Sequence, residues 1–305
     1  MKKTSYFIIF LLCIGSFASV QAQIVKPDTT TSWKRKFVFN FNVNQASFSS
    51  NWSAGGINSL GFASLVNYKL NYKKNRDSWD NEIDLLYGFV NNAGQGFRKT
   101  TDRIYLDTKY GYQLSDKWDL FSSINFLSQF SPGYKYEDDA AGVEQEFLIS
   151  DFLAPAFVTG AIGFEYHPKD YFKVRISPFA PRLTIVNDPE RFYPTLGPNP
   201  YGLDSAETTR FEWFAFQLLA EFNKDIMQNV NLKWRYMMYA NYEDFAVKKI
   251  DHRLDVNLTA KVNRFITVGL GGILVYDFDQ DDEVQLSQAL TIGFAYSFQN
   301  FEDPK

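Results

Sequence analysis

Apolar and polar residues alternate with a period of two along most of the chain. Phe37, Phe39, Phe41 and Val43 alternate with Val38, Asn40, Asn42 and Asn44. Leu60, Phe62, Val66, Tyr68, Leu70 and Tyr72 share one parity; Trp79, Ile83, Leu85, Tyr87 and Phe89 share another, opposed by Asp80, Glu82 and Asp84. Successive side chains point to opposite faces only in an extended strand, so this pattern excludes a helical fold. The alternation recurs at 103–114, 118–130, 156–166, 172–186, 211–223, 230–242, 250–262, 266–276 and 286–298, giving twelve expected strands. An even count is the rule for single-chain bacterial membrane barrels.

The segments between the strands sort by length. "KKNRDS", "LSDK", "HPKD", "NKDIMQN" and "VNRF" are short, whereas 46–59, 91–101, 131–154, 187–209, 243–249 and 277–284 are longer. Short periplasmic turns and longer outer loops are the habit of outer-membrane barrels. Twelve strands then place both termini on the periplasmic side. Tyr72, Trp79, Tyr112, Trp118, Tyr166, Phe172 and Phe298 all fall at short-turn ends with outward parity, as an aromatic girdle at one membrane interface requires. Composition agrees: 18% of the 305 residues are aromatic and the net charge is −4, which excludes the basic footprint of a nucleic-acid binder.

The first residues set the compartment. Lys2 and Lys3 precede a short apolar run to Val20, and Val20-Gln21-Ala22 offers small residues for cleavage. Residues 1–22 read as a cleaved signal peptide and 23–35 as a short periplasmic segment. The barrel is expected over 36–298, with a tail at 299–305. Cys13, the only cysteine, lies inside the signal after Leu12, so lipidation is rejected and no disulfide or thiolate metal site is expected. "TIGFAYSF" ends the last strand, and Gly293, Tyr296 and Phe298 resemble the terminal signal read by the barrel-assembly machinery, displaced by the tail "QNFEDPK".

The stretches "NWSAGGINSL", "YKKNRDSWDNEIDLLYGF", "GFRKTTDRIYLDTKYGYQLSDKW", "FSPGY" and "VYDFDQDD" together resemble domain-of-unknown-function family 3078, an outer-membrane barrel family of Bacteroidota. The resemblance spans nearly all of the chain after the signal. It implies the Gram-negative outer membrane and a barrel, and it supplies no catalytic residue.

Inward parity collects Asp80, Glu82, Asp84, Arg103, Lys109, Arg175, Arg235, Arg253 and Asp255, with Lys69, Asp107, Asp119, Glu165, Lys173, Glu221, Lys233, Asp251 and Lys261, on the lumen face. Their signs balance, which favours cross-lumen ion pairs filling a narrow barrel over a lining biased to one sign. The favoured reading is a non-enzymatic accessory or interaction subunit of an outer-membrane assembly, in contact with outer-membrane lipid and other outer-membrane proteins. A pore or transporter for small polar solutes is the alternative. A lipase is a remote third, because His167 and His252 are the only histidines and neither has a neighbouring serine. No cofactor is expected. Asp277, Asp279 and Asp281 alternate in an acidic loop and form a weak Ca²⁺ candidate, although loop carboxylates are more often simply solvated. In "NWSAGGINS", Gly55 and Gly56 suit a reversal, Asn58 a turn hydrogen bond, and Trp52 a ring packed over the barrel mouth.

Overall fold

Every second connection is a turn of two to four residues, and these turns fold the chain into antiparallel hairpins. Asn75 and Asn229 take φ of 53° and 65° in two of them, a conformation that asparagine tolerates better than most residues. The computed structural model describes residues 32–49, 57–204, 207–279 and 281–301, with the side chains of Asp281 and Asp282 excepted. The signal peptide expected at 1–22 lies outside the described residues, as do Trp52, Gly55 and Gly56.

The strands are β1 (Trp33–Ala46), β2 (Ser59–Lys74), β3 (Asp77–Asn92), β4 (Gly96–Ser115), β5 (Trp118–Ser128), β6 (Gly133–Asp138), β7 (Glu144–Ser150), β8 (Ala156–Lys169), β9 (Phe172–Phe179), β10 (Arg182–Ile185), β11 (Thr209–Glu212), β12 (Ala215–Met227), β13 (Val230–Asn241), β14 (Asp251–Lys261), β15 (Ile266–Asp277) and β16 (Asp281–Gln299). All but β6 and β7 join one antiparallel sheet. β9 with β10 and β11 with β12 each make one wall position, so the sheet has twelve positions and closes as a barrel through β1 and β16.

The closing seam is partial. Lys36 to Asn42 pair with Gln299 to Gly293. Above that level Val43–Ala46 still pair with β2, and β16 still pairs with β15, but β1 and β16 do not pair with each other. Gly293 is the uppermost closing residue. A Cβ there would lie 2.1 Å from Asn42 Oδ1 and 2.4 Å from the Phe41 carbonyl, so only glycine lets the two backbones meet.

Burial follows the alternation in the inverted sense of a membrane barrel. Ile124 is 57% exposed and Ile162 51%, whereas Asp84 and Lys109 are each 2% exposed. Apolar side chains therefore face outward and charged ones inward. Ring pairs mark the short-turn rim: Trp33–Tyr72 at 5.0 Å, Trp118–Tyr166 at 4.8 Å and Phe172–Trp234 at 6.1 Å between centroids. Among the described residues no helix is long and apolar enough to cross a membrane.

Several expected boundaries move. The barrel begins at Trp33 and ends at Gln299, so Trp33–Arg35 belong to β1 and not to a separate segment. The expected loops at 91–101 and 277–284 are mostly strand: β3 and β4 are joined by residues 93–95, and β15 and β16 by 278–280. Polar residues there mark hairpins rising clear of the lipid, which keep their ladder without an apolar face. The 131–154 connection contains the β6–β7 hairpin. Its turn is held by Asp139, which accepts from the Ala141 and Val143 amides at 2.9 Å, and these bonds hold its carboxyl below the usual carboxylate range.

The 186–208 connection folds into two 3₁₀ turns and the short helix α1 (Tyr193–Leu196). Ala154, Val186, Phe192, Tyr201 and Leu203 pack together against Leu148 and Leu196, so this connection and the one after β5 form one lid. At its edge Arg210 donates to Asp279 at 2.9 Å and to the Gly202 carbonyl at 3.0 Å. We expect Gly293→Val to lower the yield of heat-resistant, fast-migrating barrel on unheated gels. Gly272→Val, where a new Cβ meets nothing within 4 Å, leaves that yield unchanged.

Candidate functional site

The lumen is where the sequence concentrates its chemistry, and inward parity brings the expected charges together. Arg103, on β4, donates to Asp84 and, at 3.1 Å, to Asp255 on β14, across the barrel. Arg235, on β13, binds Glu82 of β3 at 2.7 Å and Glu221 of β12 at 2.6 Å. Lys69 reaches Glu82 at 3.4 Å, and the Asn67 amide donates to both Glu82 and Asp84. Lys173 closes on Glu221 and Arg253 on Asp255, each at 2.9 Å. A second cluster runs from Asp80 through Lys109 to Glu165, then through Arg175 to Asp107, with contacts of 2.6 to 3.1 Å. The two clusters hold seven cations and seven carboxylates and are neutral together.

The bonds that cross the lumen tie the β3–β4 wall to the β13–β14 wall and divide the interior. On the β5–β8–β9 side the inward residues Phe121, Ser123, Thr159, Glu165 and Arg175 are all buried. Arg175 lies 5.8 Å from the Phe121 ring, and Arg182 3.2 Å from the Tyr239 ring. The lid covers this filled side. On the other side, β15, β16 and β1 present Gly269, Gly271, Thr291, Ala295, Asn40 and Asn42 inward. Here the inward residues Asn257, Ser287, Ala289 and Ser297 are exposed although they lie on barrel strands. The lumen is therefore filled on one side and open to water on the other. A small cavity of about 90 Å³, lined by Arg103, Tyr105, Phe157, Arg235 and Asp255 among others, sits against the bridge.

Comparison with known proteins agrees with the sequence reading over part of the chain. Residues 43–134 match the family DUF3078, a protein of unknown function. The DUF3078 match covers four of the five stretches that carried the resemblance; "VYDFDQDD" lies beyond it. No curated protein matches the chain. Among solved structures, an outer membrane channel from Pseudomonas putida F1 is 10% identical, over 92% of this chain and 100% of that one, with a TM-score of 0.39. The NanC porin is 8% identical, over 85% and 98%, with a TM-score of 0.41. The translocator domain of the autotransporter NalP from Neisseria meningitidis is 10% identical, over 96% and 95%, at 0.37. These likenesses are distant, and the barrel stands on its own strand pairings.

The remaining candidates fall apart or move. Asp279 is ion-paired with Arg210 at 2.9 Å, and the side chain of Asp281, the third member of the expected Asp277, Asp279, Asp281 set, lies outside the described residues. Asn58 accepts from the Phe48 amide at 2.6 Å and so ties the two ends of the first loop, not a turn of its own. His252 faces outward with its Nδ1 2.8 Å from the Tyr236 hydroxyl, and His167 lies 3.2 Å from Asp119; among the described residues neither bonds a serine.

Parity missed Arg182 and Arg210, both inward-facing. Arg182 binds Asp251 at 2.8 Å. Between β9 and β10 the residues Ala180 and Pro181 interrupt the strand, and between β11 and β12 Trp213 and Phe214 do the same. The first two-residue break switches the inward parity from odd to even, and the second switches it back to odd. The proline inside the apolar run was the available signal. Removing Arg235 leaves Glu82 and Glu221 short of a buried cation, so Arg235→Leu should cost about 3–5 kcal/mol in urea unfolding of the reconstituted barrel. The partly exposed Arg191–Asp151 pair on the lid is the comparison, and Arg191→Ala should cost at most about 1 kcal/mol.

Proposed function

We propose that this chain is a non-enzymatic pore of the Gram-negative outer membrane, passing small polar solutes along the β14–β16–β1 side of its lumen. The exposed inward residues on that side carry the reading, because a lumen built only to be filled would bury them as the opposite wall does. The unpaired upper seam supports it. Above Asn42 and Gly293 the edges of β1 and β16 do not pair with each other among the described residues, and strand-edge groups in lipid cost several kcal/mol each when unsatisfied, which favours water reaching the gap. The outward apolar face and the aromatic rim support insertion in a bilayer. The first and last strands of the barrel begin and end at the short-turn rim, at Trp33 and Gln299, and we assign that rim to the periplasm.

A second reading, an interaction subunit of an outer-membrane assembly, is favoured by one feature. Phe97 is 71% exposed, Val143 56% and Phe152 49%, all at the long-loop end, where a partner protein would cover them. Planar-bilayer recording separates the two. The pore reading predicts stepwise conductance from the purified protein, reduced when Ala289→Trp narrows the open side. A silent barrel that instead holds a partner through mild-detergent purification would overturn it.

A further inference from the structure

The ion-pair network of the lumen is neutral by itself, yet further lysines face the same space. On β13, Lys233 occupies the inward position next to Arg235 on the short-turn side, because residues two apart share a strand face. It has no ion pair or hydrogen bond among the described residues. On β1, Lys36 stands directly opposite Lys69 of β2 and likewise has neither. Like charges placed directly opposite across an antiparallel pair destabilise it. Lys69 finds Glu82 only at 3.4 Å, and that carboxylate is already engaged at 2.7 Å by Arg235 and at 2.8 Å by the Asn67 amide. Of the three lysines Lys36, Lys69 and Lys233, contributed from both sides of the crossing bridge, only Lys69 has an ion-pair partner among the described residues, and Asp84, the other carboxylate that acts on Lys233, is already held by Arg103.

We propose that Lys36, Lys69 and Lys233 form a binding site for a small oxyanion, a carboxylate or a phosphate, on the periplasmic side of the charge bridge. The chemistry follows from the donor set. Three ammonium groups offer directional donors to several oxygens of one anion, and two of them have no ion-pair partner among the described residues. An anion there relieves the Lys36–Lys69 repulsion and neutralises Lys233. The open wall beside the bridge gives it a path. The site rests on the open lumen proposed above, but it requires binding and not conductance.

The test is thermal unfolding of the purified full-length barrel, followed by loss of the fast-migrating form, in citrate, inorganic phosphate or chloride at matched ionic strength. Citrate or phosphate should raise the midpoint by several degrees more than chloride, and the preferred one names the ligand class. In K36Q/K233Q the anion-free midpoint should rise, since repulsion is removed, and the citrate or phosphate increment should vanish. Equal midpoints in all three salts, or an increment that persists in K36Q/K233Q, would overturn the site. A lysine-dependent increment in a barrel that is silent in bilayers would leave the site standing and sink the pore alone.

Discussion

Arg235 between Glu82 and Glu221, with Arg103 between Asp84 and Asp255, is the contact on which the interior depends. These guanidinium groups cross the lumen and join walls that are far apart along the sheet. Planar guanidinium groups suit this task because each presents several donors in a fixed fork, so one side chain serves carboxylates on two strands. Removing charges from water is costly, and the cost is met only where every partner is in place. That condition is most nearly met on the β5–β8–β9 side, where side chains fill the space and the lid closes over them, although one oxygen each of Asp107 and Asp119 is buried there without a hydrogen bond. It has no counterpart on the β15–β16–β1 side, whose inward face is mostly small or uncharged, with Lys36 of β1 a charged residue near the short-turn rim.

The seam and the open side belong together. A barrel avoids exposed strand edges by closing on itself, and here closure stops at Asn42 and Gly293. Above that level the two edges need polar company. A hydrated lumen supplies it, whereas a fully packed one would leave backbone groups facing hydrocarbon. The small inward residues of β15 and β16 thus serve the wall as well as the proposed path. They keep water beside a gap that lipid alone could not satisfy.

Much of this architecture is legible in the sequence, for a physical reason. Alternation over segments such as 79–89 reports which residues meet lipid, and a one-residue slip would put Asp80, Glu82 and Asp84 outside. That constraint fixed strand number, register parity and the membership of the charge network. What alternation cannot report is a break in its own phase. Arg182 and Arg210 change sides at Ala180-Pro181 and Trp213-Phe214, so their contacts with Asp251 and Asp279 were not foreseen. Nor does balance of charge reveal its distribution. The signs of the lumen nearly cancel, which suggested a uniformly filled interior, but the pairs gather on one side. Nor does polarity separate a loop from a strand: hairpins such as 91–101 rise beyond the lipid as regular strand without an apolar face.

The central claim is that the bridge divides the lumen into a filled side and a watered side. Thiol labelling tests it most directly, because Cys13, which precedes the barrel, is the only native cysteine. Single cysteines at Ser287, on the open wall, and Ser123, on the filled wall, would be exposed to a membrane-impermeant, water-soluble maleimide in the folded, reconstituted barrel. The account predicts rapid labelling of S287C and little or none of S123C, with both labelled equally after unfolding. Equal protection of the two in the folded barrel, or faster labelling of S123C, would contradict it.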